Sequence, residues 1–336
     1  MPEALTISRR TVLTGAGALA GGLLLSTGAA QDATPVALEG PLIGLPDLLQ
    51  SCDSIFGVVL LDPDGKLVFE HNADLPFAAA SLYKLVLMTE MIDRIEQGKL
   101  QPTETVQIQQ EFFIAENGED SYFAYDAIGA QVPIEELIYS TGGYSSNVGA
   151  QALMSLTSPE QLDAFARELG MSSTHYWLTR GNISPHFDPS AAAPGSNEYA
   201  RAVTFLDSFA ADSTVNITTP RDIATFFHLL ATDTLRSAEV SWRVQDILST
   251  RFITDRLPAL LPASVPVVHK TGNLYGVLHD AGYLETPDGP VVAVALAQAV
   301  VDYDTTFAVE QRIGLVAWEI GGGEPEPVAS PADAVG

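Results

Sequence analysis

Apolar and polar positions change period several times along the chain. Ile55 to Leu61 is a continuous apolar run and Lys66 to Glu70 a second strand-like run, with Asp62-Pro63-Asp64-Gly65 placing Pro and Gly where a tight turn needs them. A hairpin is expected there. Leu82, Leu85, Val86, Met88, Met91, Ile92 and Ile95 then recur at helical spacing until Gly98 supplies a stop, so a long helix starts at or near Ser81. The middle of the chain is mainly helical. Ile134 to Ser140, Val148 to Leu156, a helix opened by Ser158-Pro159-Glu160-Gln161 and closed by Gly170, and another opened by Thr219-Pro220-Arg221-Asp222 follow in turn. Strands return at Val265 to Lys270, Leu278 to Leu284 and Val291 to Ala299, the last two joined by Pro287-Asp288-Gly289-Pro290, before a closing helix over Phe307 to Trp318.

Strands at both ends with helices between them predict an α+β fold. Its simplest form is one mostly antiparallel sheet built from both chain ends and flanked by the first and last helices, with an all-helical subdomain inserted over about residues 77–210. A cleft is expected at the subdomain boundary. The domain is expected over residues 51–320, after a Pro/Ala/Gly-rich linker over 31–50 and before a tail over 321–336 without periodicity.

The first thirty residues read as an address. Ser8-Arg9-Arg10-Thr11-Val12-Leu13 is a twin-arginine pattern, and the Gly/Ala/Leu-rich run behind it stops at Leu25, too short to span a bilayer. Small residues at Gly28, Ala29 and Ala30 suit signal cleavage, so an exported, periplasmic or extracellular monomer with no remaining membrane span is expected. The single cysteine, Cys52, excludes an internal disulfide and reads as a buried free thiol. The 42 acidic residues against 16 basic ones, a net charge of −26, repel nucleic acid and anionic membrane surfaces, so no nucleic-acid partner is expected.

Only four lysines occur, at 66, 84, 99 and 270, and two of them fall in patterns that carry chemistry. A serine alcohol is a poor nucleophile until a base takes its proton, and Ser81-Leu82-Tyr83-Lys84 sets an amine one helical turn from a hydroxyl. An unperturbed amine is neutral to roughly 0.04% at pH 7, so such a base needs burial and a second nearby cation, for which Lys270 is available. Ser145-Ser146-Asn147 follows Gly142-Gly143 just before a helix and offers a hydroxyl and a carboxamide, although it also reads as a plain helix cap. Lys270-Thr271-Gly272 joins a cation and a hydroxyl able to hold a carboxylate, with a glycine that lets the backbone approach closely.

In that order the three patterns resemble the Ser-x-x-Lys, Ser-x-Asn and Lys-Thr-Gly motifs of the serine β-lactamases and penicillin-binding proteins. The likeness is greatest to class A β-lactamases and covers roughly residues 50–320. It implies a serine hydrolase acting through an acyl-enzyme, with Ser81 as nucleophile, Lys84 as base and Ser145 passing a proton to the leaving nitrogen. It further implies that Asn147 binds the acyl amide, that Lys270 and Thr271 hold the substrate carboxylate, and that Gly272 gives room. The backbone N–H groups of Ser81 and Asn273 would form the oxyanion hole. The implied substrate is a small β-lactam, or alternatively a cell-wall peptide or small ester released slowly, and no cofactor or metal is implied. A third reading is a binding module without turnover.

Two departures matter. Ser146 stands where the family usually carries Asp, which predicts a looser turn. The Glu-x-x-Leu-Asn loop that activates the deacylating water in class A enzymes is missing between Gly170 and Thr218, leaving Glu198 or Asp188 as replacement carboxylates, each equally readable as a solvated loop charge. His269, His279 and Asp280 match no metal motif, and His269 reads as a packed or rim histidine. Tyr122 and Tyr125 either wall the cleft or pack in the core.

Overall fold

In chain order the elements are α1 (Leu45–Gln50), β1 (Ile55–Leu61), β2 (Leu67–His71), β3 (Phe77–Ala78), α2 (Tyr83–Glu96), β4 (Thr105–Gln107) and β5 (Gln131–Pro133). Then come α3 (Ile134–Gly143), α4 (Asn147–Met154), α5 (Pro159–Glu168), β6 (His175–Leu178), α6 (Glu198–Phe209), β7 (Val215–Thr218), α7 (Pro220–Ala231) and α8 (Ala238–Ser249). The chain closes with β8 (Val267–Leu274), β9 (Val277–Thr286), β10 (Gly289–Gln298) and α9 (Tyr303–Ile320). This computed structural model describes residues 40–113, 120–191, 196–250 and 253–324. The twin-arginine leader, residues 31–39 of the expected linker and residues 325–336 of the expected tail lie outside the described residues.

The main sheet has the order β2-β1-β10-β9-β8 and is antiparallel throughout, so both ends of the chain do build it. β1 and most of β10 are buried because both faces of the sheet are covered, and for that reason they read as unbroken apolar runs rather than as alternating ones. One face sets Phe56, Val58, Leu60, Ala293 and Ala295 in a core with Val309, Ile313 and Val316 of α9 and Leu45 and Leu49 of α1. The other sets Val59, Val292, Val294 and Leu296 in a core with Ile223, Phe226 and Phe227 of α7 and the helical layer around α2. Gly57 is required at the α7 crossing, because a Cβ there would strike Pro220 and the Phe77 ring.

The sequence pattern gives α2 one apolar face, yet it is buried continuously from Lys84 to Asp93, packed against α3, α4, α5 and α8. Leu85, Met88, Met91 and Ile92 are completely buried, each worth about 2 kcal/mol of transfer free energy. Such a helix is a rigid mount for whatever its first turn carries.

Three expectations are corrected. The linker over 31–50 is too long, because Leu45–Gln50 is a helix whose Leu45 and Leu49 lie in the core beneath α9. The inserted subdomain over about 77–210 is not all-helical, since it carries a β4-β5 pair and, after Gly170, β6 as well as α6, and β3-β7-β6 form a small second sheet. The Lys270 strand runs on to Leu274, so the third motif sits inside β8. Cys52 is a buried free thiol, near the Thr306 hydroxyl at 3.8 Å. Among the described residues no helix is long and apolar enough to cross a membrane.

Candidate active site

Ser81 sits half-buried in the 3-10 turn Ala80–Leu82 that leads directly into α2. Ala80 has φ +44, a left-handed conformation that costs a residue with a Cβ about 1 kcal/mol or more, so the turn has to be held by its surroundings. Lys84 lies in the first turn of α2 and is completely buried. Its Nζ donates to the Ser145 carbonyl (2.5 Å) and to Asn147 Oδ1 (2.7 Å), and lies 3.4 Å from Ser145 Oγ. The Lys270 Nζ, also completely buried, donates to Ser145 Oγ (2.9 Å) and to the Thr271 carbonyl (2.7 Å). Residues from three distant segments of the chain thus converge, and the Ser145 hydroxyl is held between two lysine amines. Because Asn147 Oδ1 is taken by Lys84, the carboxamide N–H₂ group remains for a ligand.

The turn carrying Ser145 is not loose. Ser146 is the N-cap of α4, its Oγ accepting from the Gly149 N–H (2.8 Å), while its own N–H donates to the Ser140 carbonyl (3.0 Å). The missing carboxylate arrives from elsewhere in the chain. Asp120 Oδ1 accepts from the N–H groups of Asn147 (2.7 Å) and Val148 (3.0 Å), and Oδ2 from Ser146 Oγ (2.8 Å) and the N–H groups of Tyr122 (2.9 Å) and Phe123 (3.0 Å). Burial opposes the charge, but the Phe123, Val148 and Tyr122 N–H groups and the Ser146 hydroxyl outweigh it and hold the carboxyl below its ordinary range. Sequence reasoning missed this residue because nothing in its spacing marks it.

In the main sheet, β8 sets Lys270, Thr271, Gly272 and Asn273 opposite Ala281, Asp280, His279 and Leu278 of β9. A Cβ on Gly272 would lie 3.1 Å from Ala80 Cβ and 3.4 Å from Ser81 N, so glycine lets β8 come up against the Ser81 turn. Arg256, buried beside the strand, donates through Nη2 to Asn273 Oδ1 (2.7 Å) and through Nη1 to the His279 carbonyl (2.6 Å). On the α9 side His269 Nδ1 is 2.8 Å from Asp280 Oδ1, both buried, so His269 is packed and not at the rim.

Glu310 of α9 faces Arg256 Nε at 3.8 Å, and neither of its carboxyl oxygens has a hydrogen-bond partner among the described residues. Burial pushes its carboxyl well above the ordinary 4.5, against the opposing pull of Arg256. A raised carboxyl binds its proton more tightly in the folded state, so its contribution to stability is full below about pH 4.5 and is lost as pH rises through the folded value. Glu310→Gln is therefore expected to match the parent in thermal melts near pH 4 and to become the more stable of the two as pH rises. A lead that stays constant with pH would refute a protonated Glu310.

The expected replacement carboxylates do not reach this centre by any contact found for them. Asp188 is fully exposed and accepts from its neighbour's Ser190 N–H (2.8 Å). Glu198 lies close enough to His71, on the edge strand β2, to oppose the burial that lowers that imidazole's pKa. What approaches α2 from this region is Tyr176, whose hydroxyl donates to the Tyr83 carbonyl at 3.4 Å. Burial foremost holds this phenol well above its ordinary pKa, so it stays protonated. Tyr122 makes an edge contact with Tyr144, the residue before Ser145, at 5.1 Å, and Tyr125 stacks on Phe113 at 4.7 Å. Core packing is overturned for the pair, since Tyr122 and Tyr125 are exposed and line a cavity of about 200 Å³ with Asp120 and Phe123.

A sequence model described as the beta-lactamase enzyme family matches residues 45–320. The chain belongs to that family. Its similarity to the extended-spectrum beta-lactamase PER-1 of Pseudomonas aeruginosa is 22% identity over 272 residues, covering 78% of this chain and 81% of the relative. Among solved structures, a beta-lactamase from Sphaerobacter thermophilus superposes with a TM-score of 0.67 at 21% identity, covering 84% of this chain and 97% of that one. The solved structure of PBP-A superposes with a TM-score of 0.65 at 20% identity, covering 84% of this chain and 97% of that one. These structural likenesses establish the β-lactamase/transpeptidase fold. Membership of the beta-lactamase family makes the chain a serine hydrolase.

Proposed function

We propose that this hydrolase opens β-lactam rings by acyl transfer to Ser81. The observation that carries the reading is the Ser145 hydroxyl held between the Lys84 and Lys270 amines, 3.4 and 2.9 Å away, with Lys84 one turn below Ser81. A neutral Lys84 has two N–H bonds and one lone pair. The amine approaches the Ser145 carbonyl, Asn147 Oδ1 and Ser145 Oγ, and in the neutral form its lone pair takes the Ser81 proton as Oγ attacks the lactam carbonyl. The N–H groups of Ser81 and Asn273 stabilise the oxyanion. As the carbon–nitrogen bond breaks, Ser145 gives its proton to the departing nitrogen and is re-protonated from the lysines. Lys270 and Thr271 hold the substrate carboxylate and Asn147 the acyl amide.

A second reading, a penicillin-binding carboxypeptidase or esterase with a long-lived acyl-enzyme, is favoured by one observation. Tyr176, whose hydroxyl meets the first turn of α2 from the region after Gly170, offers there a protonated phenol and not a carboxylate able to activate water. Export through the twin-arginine leader is part of the proposal, since both readings require access to extracytoplasmic substrates.

Intact mass followed over time after adding a penicillin separates the readings, with Ser81→Ala as control. The expected result is a mass gain equal to the whole penicillin, because ring opening expels no fragment, absent from Ser81→Ala. Decay of the adduct with release of the ring-opened acid gives turnover, and persistence gives the second reading. No adduct on the parent protein would sink both.

A further inference from the structure

We infer that His279 is a positioning residue for acylation, bracing the strained turn that carries Ser81 against β8 so that the Ser81 and Asn273 N–H groups face one oxyanion. The inference rests on the proposed acyl transfer to Ser81. His279 stands opposite Gly272 in the β8-β9 ladder and is completely buried. A buried imidazole in a sheet of Ala, Val and Leu needs a polar reason to be there. Its Nε2 is 2.7 Å from the Ala78 carbonyl, three residues before Ser81, and the Ala297 N–H of β10 points at Nδ1 (3.1 Å), with the Leu278 carbonyl 2.8 Å from the same nitrogen.

Burial, only partly offset by these backbone contacts, lowers the imidazole to about 4, so the ring is neutral and carries one proton. With Ala297 donating to Nδ1, that proton is on Nε2 and is donated to Ala78. The brace meets the Ser81 donor at the β8 residue just before the Asn273 donor. Around the point where a Gly272 Cβ would stand, Ala80 Cβ (3.1 Å), His279 Cδ2 (3.3 Å) and Ser81 N (3.4 Å) meet. On the same segment Gln298 Oε1 accepts from the Ala78 N–H (3.2 Å) and its Nε2 donates to the Pro76 carbonyl (2.8 Å). The Ala79 N–H donates to Asn216 (2.7 Å). Of these ties, His279 alone joins the strand opposite Gly272 to the turn, whose Ala80 would otherwise leave φ +44.

Asparagine in place of His279 can keep an acceptor for Ala297 but cannot reach Ala78, whereas glutamine can reach it. Three quantities are measured on the parent, His279→Asn and His279→Gln: the acylation rate constant with a chromogenic β-lactam, the affinity for an aryl boronic acid, and non-covalent penicillin binding with Ser81→Ala added. A boronic acid bonds to a serine oxygen as a tetrahedral adduct and so occupies the oxyanion position. His279→Asn is expected to lose about 30-fold in acylation and a similar factor in boronate affinity, with non-covalent binding unchanged within about threefold, and His279→Gln to recover most of both. Melting temperatures of both variants control for folding. Parallel loss in all three quantities, acylation by His279→Asn at the parent rate, or no rescue by His279→Gln would each overturn the inference. A parent protein that forms no adduct with the β-lactam overturns the acyl-transfer reading itself and this inference with it, an outcome distinct from the others because the parent alone reveals it.

Discussion

Lys84→Met is expected to slow acylation of Ser81 about a thousandfold, within the range set by removing a positioned general base. Methionine matches the lysine stem in length and apolar character, so α2 keeps its packing. Two hydrogen bonds to the Ser145 carbonyl and Asn147 Oδ1 are lost, while the desolvation of a completely buried amine is removed, and these oppose each other. Stability should therefore move by no more than about 1 kcal/mol. Lys84→Arg tells a base from a cation. A guanidinium keeps the charge but does not lose its proton at working pH. If Lys84 acts by taking the Ser81 proton, arginine is as inactive as methionine in single-turnover stopped-flow assays; if it acts by charge alone, arginine retains much of the rate. Acylation by Lys84→Met within about tenfold of the parent would move the base elsewhere.

What the sequence made legible depended on how local the signal was. Ser81 and Lys84 lie one turn apart on a helix, and Lys270 and Thr271 adjoin on a strand, so spacing alone joined each pair. That both chain ends build one sheet followed from the largely apolar runs in β1, β9 and β10, which burial on both faces favours. α6 was hidden behind a Pro/Ala/Gly-rich approach, although Ala202 and Leu206 are spaced to face the core. β8 outran its expected end because pairing of Gly272, Asn273 and Leu274 with β9 overrides their weak strand preference. Asp120 was illegible for a third reason. It acts across 27 positions on Asn147, and a carboxylate in a polar segment looks the same whether it is solvated or caps a helix.

Asp120→Ala is expected to lower stability by about 3 kcal/mol and acylation by about 100-fold, although the residue lies outside all three motifs. The carboxylate is the acceptor for four backbone N–H groups and the Ser146 hydroxyl, and two of those N–H groups belong to the first turn of α4, where the helix dipole adds to the attraction. Alanine leaves them competing for water at a half-buried turn. Asn147 and Ser145 would then lose the register that sets the carboxamide against Lys84 and the hydroxyl between the lysines, and a shift of about 1 Å there suffices for the rate loss. Asparagine should cost about half as much stability, because its amide nitrogen must face one of the two groups of donors. The pH dependence has a definite sign. The folded carboxyl lies below its ordinary 3.8, so its contribution is full above about that value and is lost as pH falls through the lower folded value. The stability gap between the parent and Asp120→Ala, read from chemical denaturation, should stay constant from about pH 7 to 5 and close below about pH 4. A gap that persists unchanged in acid would mean that the side chain's shape, and not its charge, orders the Ser145 turn.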